Sequence, residues 1–295
     1  MARNVAQPYS RPKLLSEALA LLANEKACVL AGGTDLVIMR AQSMVDVESV
    51  VDIKGIESLA LIEISGDRTS IGAGVSLDAL SSHASYGPNA ITDGARVVGG
   101  WQTRCRATIG GNICRASPAA DTLCGVLVLG GELELASVSG TRTVSSADFF
   151  TGPGKTVMRR DELLTRIAVA ARTSRMGGSA YRRFTYRNAM DLSVAGVAVA
   201  LELDGDRCTA ARIAVGACGP TPFLVSDAAA ALVGSTVDDR ALAAAAEVLV
   251  AAAKPIDDVR GTRRHRLHVL RPLLLSAAGD ALARAGRGPR NGGGQ

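Results

Sequence analysis

Two glycine pairs carry the most suggestive chemistry in this chain. The first, AGGTD (Ala31, Gly32, Gly33, Thr34 and Asp35), directly follows the apolar run ACVL, Ala27 to Leu30. Two glycines between a strand and a helix let backbone amides approach a ligand closely, and a pyrophosphate is the natural guest. The same turn can equally serve to pack a helix on a strand, and the pattern is neither GxGxxG nor a Walker loop. The second pair lies in TIGGN (Thr108, Ile109, Gly110, Gly111 and Asn112) and repeats the logic, with a hydroxyl and a carboxamide flanking the glycines. Asp121 follows shortly after. It can accept hydrogen bonds from the hydroxyls of a ribityl chain or a ribose, and it can equally cap the next helix.

The elements that must position these loops are legible from periodicity. Leu15, Leu19 and Leu22 share one face of a short helix from Ser16 to Asn24, with Ser16 as the expected cap. ACVL and VVDI (Val50 to Ile53) are β-type runs, so the first unit is a small β-α-β arrangement. LIEIS with TSIGAG, and the pair Glu132 to Ala136 with Thr141 to Val144, are expected hairpins. Helices are predicted over Ile91 to Val98 and Asp121 to Leu129, and DFFTGPGKT is predicted to be a loop. Two long β-rich runs, Val194 to Leu203 and Thr209 to Ala217, precede helices over Asp239 to Ala253 and Thr262 to Ala285. The expected division is 1–56, 57–175 and 176–285, with a disordered tail over 286–295.

The chain has 295 residues, 47% hydrophobic and 21% charged, enough for a substantial core in several subdomains. Mean hydropathy is +0.20, yet the excess comes from dispersed Ala and Gly, and no apolar run approaches a membrane span. The opening MARNVAQPYSRPK lacks the apolar core of a secretory signal, so a cytoplasmic protein is expected. A net charge of +5 with only 3% aromatic residues gives nucleic-acid binding little to work with. Six dispersed cysteines without a CxxC pair fit neither a zinc ribbon nor an iron–sulfur cluster, and reduced thiols are expected.

Taken together, AGGTD, ATIGGNICRASPAAD and DFFTGPGKT with DELLT form an ordered set. With IGAGVSL, AYRRFTYRNAMDLSVAGVAVAL, ARIAVGACGPTP and PIDDVRG, the sequence resembles the FAD-binding medium subunit of the molybdenum hydroxylases, the xanthine dehydrogenase and carbon monoxide dehydrogenase flavoprotein family. The resemblance spans nearly the whole chain. It implies an α+β fold of the vanillyl-alcohol-oxidase-like (PCMH) type, in which two subdomains clasp FAD and a C-terminal domain combines a small sheet with helices. Carried over by position, Leu30, Ala31, Gly32, Gly33, Thr34, Asp35, Leu36 and Val37, with Thr108, Ile109, Gly110, Gly111 and Asn112, would hold the pyrophosphate and adenosine side of FAD. Asp121 would bind its polar chain, and Leu163 and Arg183 align with further flavin contacts. Leu163 also reads as a core strand residue and Arg183 as a surface or interdomain charge. A valine at Gly110 or Gly111 is expected to bar FAD, and serine at Cys114 to leave it bound.

The resemblance further implies an electron-transfer subunit that holds FAD and no metal. A large molybdopterin subunit would oxidise the organic substrate, and a small [2Fe–2S] subunit would pass electrons to the flavin for an external acceptor. A heterotrimer, or a dimer of heterotrimers, follows. Where the family often has GSAEYRR after PIDDVRG this chain has GTRRHRL, placing His265 at the tyrosine position in a more basic helix. Two alternatives stand beside this reading: a self-sufficient flavin oxidoreductase, for which Tyr181, Tyr186 and His265 are the available acid–base groups, and an assembly subunit that binds no cofactor.

Overall fold

The computed structural model describes residues 8–23, 26–170 and 177–286. Asn24, the connection around 171–176 and the expected tail beyond 286 lie outside the described residues.

The N-terminal unit runs β1 (Tyr9–Ser10), α1 (Leu15–Leu22), β2 (Ala27–Leu30), α2 (Leu36–Ala41) and β3 (Ser49–Asp52). Its sheet has the order β1-β3-β2 with both pairings parallel, and Cys28 lies opposite Val50. This is the expected β-α-β unit, with β1 added at its edge. Ala18, Leu19 and Leu22 of α1 pack on Val51, Ile53 and Leu59. The cap of α1 is Leu14, two residues earlier than Ser16. The Glu17 carboxylate reaches back to the amides of Lys13 (3.1 Å) and Leu14 (3.3 Å), so an acid in the first turn does the work expected of a serine.

The middle unit begins with the hairpin β4 (Ile62–Ser65) and β5 (Arg68–Gly72). Five helices follow: α3 (Leu77–Ser82), α4 (Ala90–Val97), α5 (Trp101–Arg106), α6 (Ile109–Arg115) and α7 (Asp121–Val128). The unit is completed by β6 (Glu132–Ser137), β7 (Gly140–Ser145), α8 (Ser146–Phe149), β8 (Phe150–Gly152), β9 (Lys155–Thr156) and β10 (Leu163–Ala170). The five-stranded sheet is antiparallel with the order β4-β5-β10-β6-β7, so β10, which begins at Leu163, joins the two expected hairpins. DFFTGPGKT, expected as a loop, contains the short pair β8 and β9.

The C-terminal unit holds β11 (Gly178–Phe184), β12 (Ala195–Asp204), β13 (Arg207–Gly216), β14 (Phe223–Leu224), α9 (Ser226–Ala230), α10 (Asp239–Ala252) and α11 (Arg263–Arg284). Its sheet order is β11-β12-β13-β14. Strand β12 explains how two helical layers share one sheet. Val197, Val199 and Leu201 face the core made with α10 and α11, whereas Ala198 and Ala200 face the core that contains α4 and α7. Alternating large and small residues therefore let the middle unit approach the sheet closely.

Candidate functional site

A cleft of ≈ 410 Å³ lies where the β2–α2 loop meets α6 and the start of β10. It brings together eleven of the residues expected from the sequence: Ala31, Gly32, Gly33, Thr34, Asp35, Leu36, Thr108, Gly110, Gly111, Asn112 and Leu163. Five others stand away from it. Leu30 supports Gly33 from β2, Val37 is 61% exposed on α2, and Ile109 is wholly buried in the core. Asp121 and Arg183 meet each other instead.

The first loop is built for close backbone approach. A Cβ on Gly32 would stand 2.0 Å from the Arg106 carbonyl oxygen, so only glycine lets this loop dock on the end of α5. Gly33 has φ +78°, the left-handed region glycine tolerates. The backbone N–H groups of Gly32, Gly33, Thr34, Asp35 and Leu36 find no acceptor among the described residues, and α2 has no side-chain cap. Five consecutive donors at the edge of a cleft form a ready site for an anion.

The second glycine pair works differently from the expectation. Thr108 caps α6, its Oγ1 accepting from Gly111 N–H at 3.0 Å, so TIGGN is a helix start and its amides from Ile109 to Asn112 are already engaged. Ile109 N–H donates to Val75 O (3.0 Å), Gly110 N–H to Ala73 O (2.9 Å) and Asn112 N–H to Thr108 O (3.0 Å). A Cβ on Gly110 would meet Ala73 Cβ and O at 2.6 Å, whereas one on Gly111 would meet only Thr108 Oγ1 at 3.0 Å. Gly110 is thus small for packing and Gly111 for the cleft. What TIGGN offers a ligand is the Asn112 carboxamide. Thr122 Oγ1 donates to its Oδ1 at 2.5 Å, and Nδ2 has no acceptor among the described residues. Thr122 is fully buried in α7, and only the three-dimensional crossing of α6 with α7 reveals its role.

Three charged side chains line the cleft: Asp35, Arg115 and Glu162. Arg115 Nε stands 3.3 Å from Asp35 Oδ1 across the gap between the two loops. Glu162 is held by Arg142 (2.6 and 2.9 Å) and Arg159 (3.0 Å), and the Arg142 contact keeps its carboxyl below the usual range against the effect of burial. Cys114 Sγ lies 3.5 Å from Met158 Sδ, and burial pushes its thiol up to about 12.

Behind the cleft, Asp121 accepts from Tyr181 Oη (2.8 Å), from Ser193 Oγ and from Arg183 Nη1 (2.8 Å). Burial pushes the Asp121 carboxyl up while Arg183 pulls it back. Tyr181 and Ser193 both donate to Oδ1 and Arg183 donates to Oδ2, so this internal network holds the carboxylate expected to meet a ligand chain. Arg183 Nη2 is buried without an acceptor among the described residues. Of the acid–base groups that a self-sufficient oxidoreductase would need, Tyr181 belongs to this network, and Tyr186 stacks on His265 with ring centroids 6.1 Å apart. None of the three lines the cleft.

Residues 3–170 match the family described as FAD binding domain in molybdopterin dehydrogenase, and residues 179–281 match the CO dehydrogenase flavoprotein C-terminal domain. The chain belongs to this FAD-binding family. Another member, the xanthine dehydrogenase FAD-binding subunit of Escherichia coli O157:H7, is 31% identical over 282 residues, covering 94% of this chain and 97% of that one. The carbon monoxide dehydrogenase medium chain of Afipia carboxidovorans is 31% identical over 281 residues, with the same coverage. Among solved structures, carbon monoxide dehydrogenase from Hydrogenophaga pseudoflava matches with a TM-score of 0.89 at 30% identity, covering 94% of this chain and 98% of that one. Quinoline 2-oxidoreductase from Pseudomonas putida 86 matches with a TM-score of 0.88 at 27% identity, covering 95% and 98%. As a member of this family the chain is an FAD-containing oxidoreductase subunit with the expected α+β fold. No helix among the described residues is long and apolar enough to cross a membrane.

Proposed function

We propose that this chain is the electron-transfer subunit of a heteromeric molybdenum hydroxylase and holds its FAD in the cleft between the β2–α2 loop and α6. The observation that carries the reading is the run of five unpartnered amides from Gly32 to Leu36 on the cleft edge. These donors suit the diphosphate of a dinucleotide. Asn112 Nδ2 adds a side-chain donor from the opposite wall, and Gly111 keeps that wall open. Leu163 and Leu164 supply an apolar surface at the start of β10.

FAD supplies exchange between one-electron carriers and two-electron acceptors, and the protein contributes binding and orientation. Organic substrate would be oxidised on a large molybdopterin subunit, with electrons arriving through a small [2Fe–2S] subunit and leaving to an external acceptor. The assembly would be a heterotrimer or a pair of heterotrimers. Residues 1–56 and 57–175 would form the two halves that clasp the cofactor, and 176–285 the third unit. The six free cysteines suit a reducing cytoplasm.

The test is an absorption spectrum of the purified chain, with chromatography of the flavin released by heat. Near-stoichiometric FAD, together with iron in copurifying partners and no turnover of organic substrate by the chain alone, is the expected result. A colourless chain that takes up no added FAD would return the assembly-subunit reading to the front.

A further inference from the structure

Arg115 is the one cation lining the cleft among the described residues. Its stem is fixed. It ends α6, the following residue Ala116 takes a left-handed φ of +49°, and Gly154 N–H donates to Ala116 O at 2.9 Å. Its head is held loosely. The single contact with Asp35 is 3.3 Å long, and the two side chains are 38% and 59% exposed. Nη1 and Nη2 donate to no acceptor among the described residues. An exposed pair with one long contact costs little to exchange.

The charge balance of the cleft gives that freedom a purpose. A diphosphate brings at least two negative charges into a space already lined by two carboxylates. Glu162 is neutralised by Arg142 and Arg159, and the amides from Gly32 to Leu36 supply dipoles without net charge. Arg115 is the residue that can compensate the ligand, but only by leaving Asp35, whose own charge would otherwise face the anion. A guanidinium is suited to the exchange because its fork can take two phosphate oxygens at once.

We propose that Arg115 is an anion ligand of this cleft, parked on Asp35 in the free protein and transferred to the diphosphate of a bound dinucleotide. The proposal rests on the cleft being the dinucleotide site. It assigns the Asp35 side chain the opposite of a ligand's role: Asp35 competes with the diphosphate for Arg115.

The sign of two substitutions tests this. The full chain, freed of flavin, is titrated with FAD, ADP and riboflavin as wild type, Arg115→Gln, Arg115→Lys, Asp35→Asn and the Asp35→Asn/Arg115→Gln pair, with melting temperatures recorded for each. Arg115→Gln is expected to raise the Kd for FAD and ADP about tenfold or more and to leave riboflavin unchanged, with Arg115→Lys intermediate. Asp35→Asn is expected to lower the Kd for FAD and ADP several-fold, on the order of the strength of an exposed pair, and to do nothing when Arg115 is already glutamine. Unchanged Kd values in Arg115→Gln, equal losses for all three ligands, or a weakening by Asp35→Asn would overturn the proposal and leave the pair as a fixed strap. Wild-type chain that binds ADP but not FAD would defeat the flavin reading while the two substitutions still decide the role of Arg115. Failure to bind either nucleotide would overturn both.

Discussion

Arg183 and Asp121 meet as an ion pair sealed inside the protein, Nη1 2.8 Å from Oδ2, with side chains only 7% and 8% exposed. The pair joins the start of α7 to β11, and Tyr181 and Ser193 complete the coordination of the carboxylate from β11 and the segment before β12. Asp121→Ala is expected to cost about 3–5 kcal/mol, because it strands a buried guanidinium. Tyr181→Phe, which removes one donor to a charged acceptor, should cost about 1.5–3 kcal/mol. Urea unfolding of the purified chain measures both, and a loss under about 1 kcal/mol for Asp121→Ala would show that the pair is not the anchor described.

The two neighbouring glycines of TIGGN should fail in different ways. A methyl group at Gly110 collides with Ala73, so Gly110→Ala should lower the melting temperature by several degrees with FAD affinity falling only as the fold loosens. At Gly111 the added methyl meets little of the protein, so Gly111→Ala should melt within a degree or two of wild type and lose FAD affinity about tenfold. Melting curves and flavin titrations on the same preparations separate the two effects.

Thr122 and Asn112 should behave as one unit. Thr122→Val keeps the shape and removes the hydroxyl that fixes the carboxamide, so FAD affinity should drop roughly threefold to tenfold, and Thr122→Ser should restore it. In an Asn112→Ala background the same valine should change nothing further, a non-additivity that a general packing defect would not produce.

Acid should reveal the clamp at the C-terminal unit. Burial alone would raise the Asp258 carboxyl, but the guanidinium groups of Arg260 and Arg266 take it down to about 2. An aspartate ordinarily titrates at about 3.9, so the native state binds its proton less readily than the unfolded chain. The stabilisation is present above about pH 4 and is lost as pH falls toward about 2, amounting to roughly 2–3 kcal/mol at most. Arg266, 1% exposed, also donates to the carbonyls of Val194 and Ala217, so protonated Asp258 leaves its charge poorly compensated. Unfolding free energies from pH 6 to pH 2 should fall more steeply for wild type than for Asp258→Asn.

Much of the architecture was legible because it is local. Strands β2, β12 and β13, both hairpins, and helices α4, α7, α10 and α11 follow apolar period and turn residues, and the structure places them within a residue or two of expectation. What escaped lies in long-range pairing. Nothing in LLTRIAVA marks β10 as the strand that joins two hairpins, since its neighbours are far away in sequence. Helix α6 was hidden because glycines within a helix read as a loop until Thr108 is seen to cap them. For the site, the first glycine loop was readable from its residues. Asp121 was readable as an acceptor from its own chemistry, but its partners Tyr181, Arg183 and Ser193 come from β11 and the segment before β12, far away in sequence. Thr122 and Arg115 carried no sequence signal, because their importance depends on which elements cross beside them.

The cleft has walls from two separate cores, a small one under the β1–β3 sheet and a large one under α4 and α7, and Gly32 is docked directly on the end of α5. A bound dinucleotide would therefore act as mortar between a lightly built first unit and a heavier second one. Nascent chains that have not yet acquired it would open at that seam first and offer their first sixty or so residues to proteases. Flavin supply would then set the lifetime of the newly made chain, with scarcity registered as degradation well before any loss of turnover.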